Sequence, residues 1–369
     1  MSAEETIIQK IEANGPVSFH DFMDMALYHP ITGYYTSGTE CFGEKGDYYT
    51  SPYLGSIFGE LIGKQVEEMW CILKEEPFSI IEYGAGNASL CRDILCYLKN
   101  NSPLYDELTY YIIEKSPSMQ LKEKEMLSEF GSKVKWINAI SEISGVSGCI
   151  LSNELLDNFA VHLVTMQQEL MEVYVDYKGT FTELLRPAGP SLKNHLNNLA
   201  INLPVGHRTE INLQAENWMK EIAAALKKGF VLTIDYGYIA TDTYRKKMPD
   251  GTLKCYHKHQ LSTNPYQHVG EQDITSHVNF SVLLQSGLTE GLQPCGFTNQ
   301  SQFLRALGIA DHLRHYEDQN SYSDTEKKIK KASLLTLLIE MGQRIKVLIQ
   351  QKGLDQVFLS GMQFPLQLA

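Results

Sequence analysis

The sequence predicts an α/β chain built on a parallel sheet with helices on both faces, and three observations carry that reading. From residue 78 short apolar runs alternate with helical stretches. The runs Phe78–Glu82, Leu108–Glu114, Val134–Ile137 and Cys149–Ser152 are largely apolar, as strands covered on both sides are. The first of them leads into Tyr83-Gly84-Ala85-Gly86, a glycine-bearing turn ahead of a helix.

Short helices with marked ends precede this core. Ser2 and Glu5 make a capping box for a helix carrying Ile7, Ile8 and Ile11, which stops at Asn14-Gly15-Pro16. Ser18 begins a second helix with Phe22, Met25 and Ala26 turned inward, ending before Pro30. The polar, glycine-rich stretch Gly33–Thr50 is too long for a simple turn and is a candidate functional loop. Ser51-Pro52 opens a third helix, in which Leu54, Ile57, Phe58, Leu61 and Ile62 keep the 3.6-residue period. Helices over 88–99 and 117–130 separate the four runs. After an insertion over 162–205, read as a hairpin and a small helix, strands resume at Arg208–Leu213 and Phe230–Asp235 around a helix at 215–227. Ser323–Gln350 reads as strongly helical, and Val357–Leu368 as two strands around a turn.

With 369 residues, the chain exceeds one ordinary domain. Its 44 acidic and 32 basic residues give a net charge of −12, which repels nucleic-acid phosphate; the one concentrated basic run is Arg245-Lys246-Lys247 to Lys254. A nucleic-acid partner is therefore not expected. No apolar run reaches the roughly 18 residues of a membrane span. The acidic N-terminus, Met1-Ser2-Ala3-Glu4-Glu5, has neither a signal-peptide nor a transit-peptide pattern, so the expected location is cytoplasmic. Seven cysteines form no C-x-x-C pair and read as reduced, buried thiols. Cys255, His257, His259 and His268 lack a recognisable ligand spacing, and no metal is expected.

In an open parallel sheet, ligands bind beyond the carboxyl ends of the strands, where strand order reverses. Gly84 and Gly86 let a ligand approach the backbone there, and the following helix offers free N–H groups. Glu114, at the end of the second strand, suits both hydroxyls of a ribose. Position 89 is Ser89, and Glu114 lies thirty residues beyond Gly84, against about twenty in the dinucleotide fingerprint. Glu82 would repel a pyrophosphate and attract a cation. S-Adenosylmethionine, with its sulfonium, ammonium and ribose and no phosphate, fits this charge pattern better than a nicotinamide cofactor, which is the disfavoured alternative. At the fourth strand Asn153 overlooks the site, and Glu154 and Asp157, three apart, can face one way on a helical turn. A bland alternative makes Asn153 an N-cap whose acids complement the helix dipole.

Several further motifs occur in order: Tyr28-His29-Pro30 with Gly33-Tyr34-Tyr35, Gly46-Asp47-Tyr48-Tyr49-Thr50-Ser51-Pro52, Asn153-Glu154-Leu155-Leu156-Asp157, Asp235-Tyr236-Gly237-Tyr238 and Gln272-Asp273-Ile274-Thr275-Ser276-His277-Val278. Together with the glycine loop they resemble the MidA-like family of class I S-adenosylmethionine-dependent methyltransferases, from residue 16 to the end. Mitochondrial members of that family methylate an arginine of a respiratory complex I subunit and assist its assembly. The family's third loop glycine is Ala88 here, Tyr48 stands where Phe is commoner, and Asn158-Phe159-Ala160 replaces the usual Ala-Leu-Pro. Without a transit pattern the chain resembles a bacterial member.

The resemblance implies a doubly wound, seven-stranded sheet of class I methyltransferase type. The expected organisation is an N-terminal helical layer and glycine-rich loop over 1–70, core halves over 71–161 and 206–240, the insertion over 162–205, a helical substrate or cap region over 241–350, and a C-terminal hairpin over 351–369 that completes the sheet. S-Adenosylmethionine would be held by Glu82, Gly84, Gly86, Glu114 and Asn153. The substrate would be a protein side chain, with an arginine guanidinium suggested by the family and clamped by Asp47, Glu154, Asp157 and Asp273, because a planar fork pairs bidentately with carboxylates. His277 is a candidate proton acceptor. A non-enzymatic assembly factor that keeps the cofactor fold is the alternative, and the oligomeric state is left open.

Overall fold

The computed structural model describes residues 1–38, 41, 43, 46, 47, 50–74, 77–240, 248–318 and 323–366. Tyr48, Tyr49 and the basic run Arg245-Lys246-Lys247 lie outside them. Seven strands, numbered along the chain, make the central sheet: β1 (Phe78–Tyr83), β2 (Leu108–Ile113), β3 (Val134–Ile137), β4 (Val146–Asn153), β5 (Leu226–Tyr238), β6 (Gln293–Asn299) and β7 (Ile345–Lys352). Their spatial order is β3-β2-β1-β4-β5-β7-β6, and a two-residue strand, Val278–Asn279, pairs with the end of β5. The first five run parallel, while β7 is antiparallel to both β5 and β6. Strand order reverses between β1 and β4, so a crevice opens at their carboxyl ends.

Alternation inside each apolar run explains why both faces are covered. Ile80, Ile112, Cys149, Leu151, Leu232 and Val347 pack on one side with α3 (Ile57–Leu73) and α4 (Ser89–Leu98). Ile81, Ile113, Ile150, Val231 and Leu348 pack on the other with Trp218, Met219 and Ile222 of the helix Leu213–Ala225. The capping box of Ser2 and Glu5 starts α1 (Ala3–Asn14), and Ser18 caps α2 (Phe19–Tyr28). Ser51-Pro52 opens a 3-10 turn, Ser51–Leu54, with α3 following separately.

Four expectations need correction. Arg208–Ile211 is a strand, but it pairs with His162–Met166 in a second sheet rather than joining the central one. That sheet and a three-stranded one (Lys254–His257, Gln260–Ser262, Asp273–Thr275) make the layer over the crevice mixed, not largely helical. The helix read over Ser323–Gln350 ends in a π-turn at Thr336–Glu340, after which β7 begins. Lys, Leu and Gln in Ile345–Lys352 favour helix in isolation, but hydrogen-bonding partners on both edges override that preference. The last antiparallel strands are therefore β6 and β7, and among the described residues no C-terminal hairpin completes the sheet. The tail instead makes a 3-10 turn, Ser360–Met362, held to α3 because Ser360 and Gly361 donate backbone N–H groups to Glu68 and Gln65; residues 367–369 lie outside the described residues. Among the described residues no helix is long and apolar enough to cross a membrane.

Candidate functional site

A cavity of about 310 Å³ opens at the carboxyl ends of β1, β2 and β4, lined among others by Gly84, Gly86, Glu114, Glu154, Tyr28 and Trp218. A smaller recess of about 50 Å³ adjoins it through Gly84, Gly86 and Glu154 and is lined also by Glu82, Asn87 and Asn153. All five residues expected to hold a cofactor thus border one or both spaces.

The glycine loop works through backbone conformation. Gly84 and Gly86 have φ of 64° and 59°, and a Cβ on Gly84 would come within 2.9 Å of Leu155 Cδ1. Ala88 is also left-handed, at φ 61°, directly before α4. Position 88 thus sits in a left-handed backbone conformation that glycine adopts without strain. Asn87 Oδ1 accepts the Ser89 N–H at 3.1 Å and so takes one of the free amides of α4. Glu82 is buried and accepts the Tyr110 hydroxyl proton at 2.7 Å; burial pushes its carboxyl up to about 7. Glu114 accepts the Ser116 N–H at 2.7 Å, and burial raises its carboxyl.

The turn after β4 carries the acids. Glu154 is left-handed at φ 49°, donates its N–H to Ile234 O at 2.9 Å, and accepts the Ser51 N–H at 3.0 Å. Burial, with the Asp235 charge adding to it, pushes its carboxyl up to about 7. Asn153 does not cap the turn: its amide reaches Glu154 at 3.4 Å. The capping carboxylate is Asp235, which accepts the N–H groups of Leu155 at 3.1 Å, Leu156 at 2.8 Å and Tyr236 at 2.8 Å. Beside it, burial and then Asp235, Asp273 and Glu154 hold the Asp157 carboxyl well above the usual range. Burial also pushes Asp235 up to about 7, opposed by its backbone donors, so within this pair Asp157 holds a proton more tightly than Asp235.

The expected clamp converges only in part. Among its four members Glu154 alone lines the cavity. Asp157 and Asp273 are buried behind it, with Tyr35 donating to Asp273 at 2.7 Å, and burial pushes Asp273 up to about 7. Asp47 is tied outward, accepting the Tyr34 hydroxyl at 2.6 Å and the Lys258 N–H. His277 lines a separate cleft with His195 and Glu210. Burial, and then Lys254, Lys346 and Arg344, pushes His277 down to about 4, which leaves it neutral at ordinary pH. Asp235, Tyr28 and Tyr35, quoted above within motifs but given no role, belong to the site. An aspartate closing a buried strand was the available signal for Asp235, whereas Tyr28 reaches the site by donating to Asn158 O, 130 residues away, at 3.0 Å.

Among the described residues no group of three or more His, Cys, Asp or Glu side chains could hold a metal, and His257 and His268 stack face to face at 4.1 Å. Among the described residues no cysteine forms a disulfide; Cys71 and Cys96 are exposed rather than buried.

A doubly wound sheet with two antiparallel strands at one end, and a glycine-lined crevice bordered by Glu82 and Glu114, defines a class I S-adenosylmethionine-dependent methyltransferase. The chain belongs to the S-adenosyl-L-methionine-dependent methyltransferase family of MidA-like proteins, which it matches over residues 61–298. It is 27% identical to a COG1565 superfamily member from Burkholderia thailandensis bound to S-adenosyl-homocysteine, with TM-score 0.89 over 98% of this chain and 95% of that one. Among curated relatives, the protein arginine methyltransferase NDUFAF7, mitochondrial, of Homo sapiens is 27% identical, covering 92% of this chain and 80% of its own. Its Drosophila melanogaster homolog is 26% identical over 93% of this chain and 83% of its own. The cytoplasmic expectation does not stand against these relatives, which are named as mitochondrial. The first residues of a chain are too weak a basis for a compartment.

Proposed function

We propose that this methyltransferase acts on the guanidinium of an arginine in a protein substrate, with Glu154 as the group that receives the departing proton. The observation that carries the reading is a set of stranded acceptors. Asn153 Oδ1 and Asn158 Oδ1, on residues that border the two spaces, are buried and have no hydrogen-bond partner among the described residues, and Asp157 Oδ1 and Asp273 Oδ2, behind Glu154, lack one as well. Leaving a buried polar atom unpaired costs about 1–3 kcal/mol. A guanidinium brings five N–H donors and a positive charge to such a place. The names of the curated relatives support the same substrate class.

The residues present fit S-adenosylmethionine. Glu82 and Asn153 border the small recess with carboxylate and amide oxygens, which suit a cationic group, and Glu114 offers a carboxylate to ribose hydroxyls. Met119, Ala139 and Ile140 add an apolar wall of the kind a nucleobase needs. When bound, this cofactor supplies an electrophilic methyl on a sulfonium. A guanidinium nitrogen then forms the new N–C bond as the C–S bond breaks and its electron pair goes to sulfur; the nitrogen's proton passes to the Glu154 carboxylate. The layer over the crevice, with Tyr28 and Tyr35 among the lining residues, orients the nucleophile and excludes water.

The test is incubation of the protein with methyl-labelled S-adenosylmethionine and a lysate of its own species, followed by mapping of the label. Methylarginine in a single protein is expected. Label on another residue type, with arginine unlabelled, would overturn the reading.

A further inference from the structure

Asp235 is fully buried at the carboxyl end of β5, and its carboxylate is spent on backbone rather than on the cavity. Two of its three donors, Leu155 and Leu156, directly follow Glu154 in the chain. Glu154 itself donates its N–H to Ile234 O, next to Asp235. The turn that presents Glu154 is thus fastened to β5 at three consecutive amides, 154, 155 and 156. That fastening holds Glu154 at φ 49°, a strained conformation for a non-glycine residue that persists only where neighbours impose it.

We propose that Asp235 is a positioning residue for methyl transfer: it locks the Glu154 backbone in the left-handed turn that brings this carboxylate to the cavity. The inference rests on Glu154 being the proton acceptor. The groups facing Glu154 are Asn153 and Asp157 from its own turn, Asp235 and Tyr236 from β5, and the Ser51 N–H from the 3-10 turn. Asp273 acts on Asp157 from the opposite sheet. Asp235 is the carboxylate whose charge raises Glu154, so its removal must make Glu154 lose its proton more readily.

The experiment compares wild type, Asp235→Asn, Asp235→Glu and Glu154→Gln by carbon-13 NMR titration of labelled glutamate carboxyls, by S-adenosylhomocysteine affinity, and by the pH profile of transfer to the labelled arginine protein. The Gln variant assigns the Glu154 signal. Asp235→Asn should move the Glu154 titration and the acid limb of the rate to lower pH, with at least a tenfold loss of transfer at pH 8. S-Adenosylhomocysteine affinity should stay within threefold. Asp235→Glu keeps the charge but misplaces it by a methylene; transfer should fall while the Glu154 titration stays near wild type. An unmoved Glu154 titration in Asp235→Asn, or full transfer by Asp235→Glu, would overturn the proposal. The latter measurement decides alone if the Asn variant does not fold. Full transfer by Glu154→Gln would instead remove the underlying reading, whatever the Asp235 variants do.

Discussion

The two rims of the cavity are made in opposite ways. The rim from β1 and β2 is local: Glu82, Gly84 and Gly86 fall within five residues, and Glu114 ends the neighbouring strand. Its conformation follows from glycine dihedrals and parallel pairing, with side chains near solvent-sized spaces. The rim from β4 and β5 is assembled from distant segments: Glu154, Asp235, Asp273, Tyr35 and the Ser51 amide meet only in the folded chain. Both rims hold carboxyls whose proton affinity burial raises, but Glu82 and Glu114 of the first border the ligand spaces, whereas in the second Glu154 alone does and Asp235 and Asp273 lie behind it. Cofactor recognition and acceptor chemistry are therefore separable, and each rim should be damaged without the other.

The sharpest separation comes from Asp273→Asn. Asn keeps an oxygen for the Tyr35 hydroxyl, so the fold should hold, and a buried charge is removed rather than stranded. Transfer should fall by about tenfold to a hundredfold, within the range for losing one preorganised electrostatic group, while S-adenosylhomocysteine affinity stays within threefold. Calorimetry and the labelling assay measure the two quantities. Equal losses in both would show that the rims act as one unit.

The same contrast explains how far the sequence could be read. Periodicity and glycine placement are local, so β1 to β4, the glycine loop and Glu114 were readable in it. The acids of the second rim were named from position, but which of them reaches the cavity depends on packing: Glu154 does, Asp157 and Asp273 sit behind it, and Asp47 turns to Tyr34. Asp235 was visible as part of a motif, but its role was not, because its partners lie 79 and 80 residues away. The strand β7 escaped for a similar reason, since its helix-favouring residues are overruled by pairing with β5 and β6.

Glu114→Gln probes the first rim. The amide oxygen still accepts the Ser116 N–H, so the loop should keep its shape. Replacing a charged acceptor by a neutral one should cost about 1–1.5 kcal/mol, roughly tenfold in S-adenosylmethionine affinity. The rate at saturating cofactor should change by less than threefold. A rate loss as large as the affinity loss would mean that this rim reaches into the chemistry.

The smallest effect separates dihedral from contact within the first rim itself. Ala88 sits at φ 61° and donates its N–H to Ala85 O at 2.8 Å, closing the loop before α4 begins. A left-handed Ala costs roughly 1–2 kcal/mol in the folded chain, while Gly at the same place gives back about 0.4–1 kcal/mol through the extra freedom of the unfolded chain. Ala88→Gly should therefore stabilise by about 0.5–1 kcal/mol, which for a chain of this length raises Tm by only about 1–3 °C. Ala88 is fully buried and does not border either ligand space, so cofactor affinity should stay at the wild-type value. Thermal denaturation and calorimetry read the two arms. A gain in affinity without a gain in Tm would mean that the third position of the loop is set by ligand approach, and that the first rim is shaped by contact and not by backbone conformation.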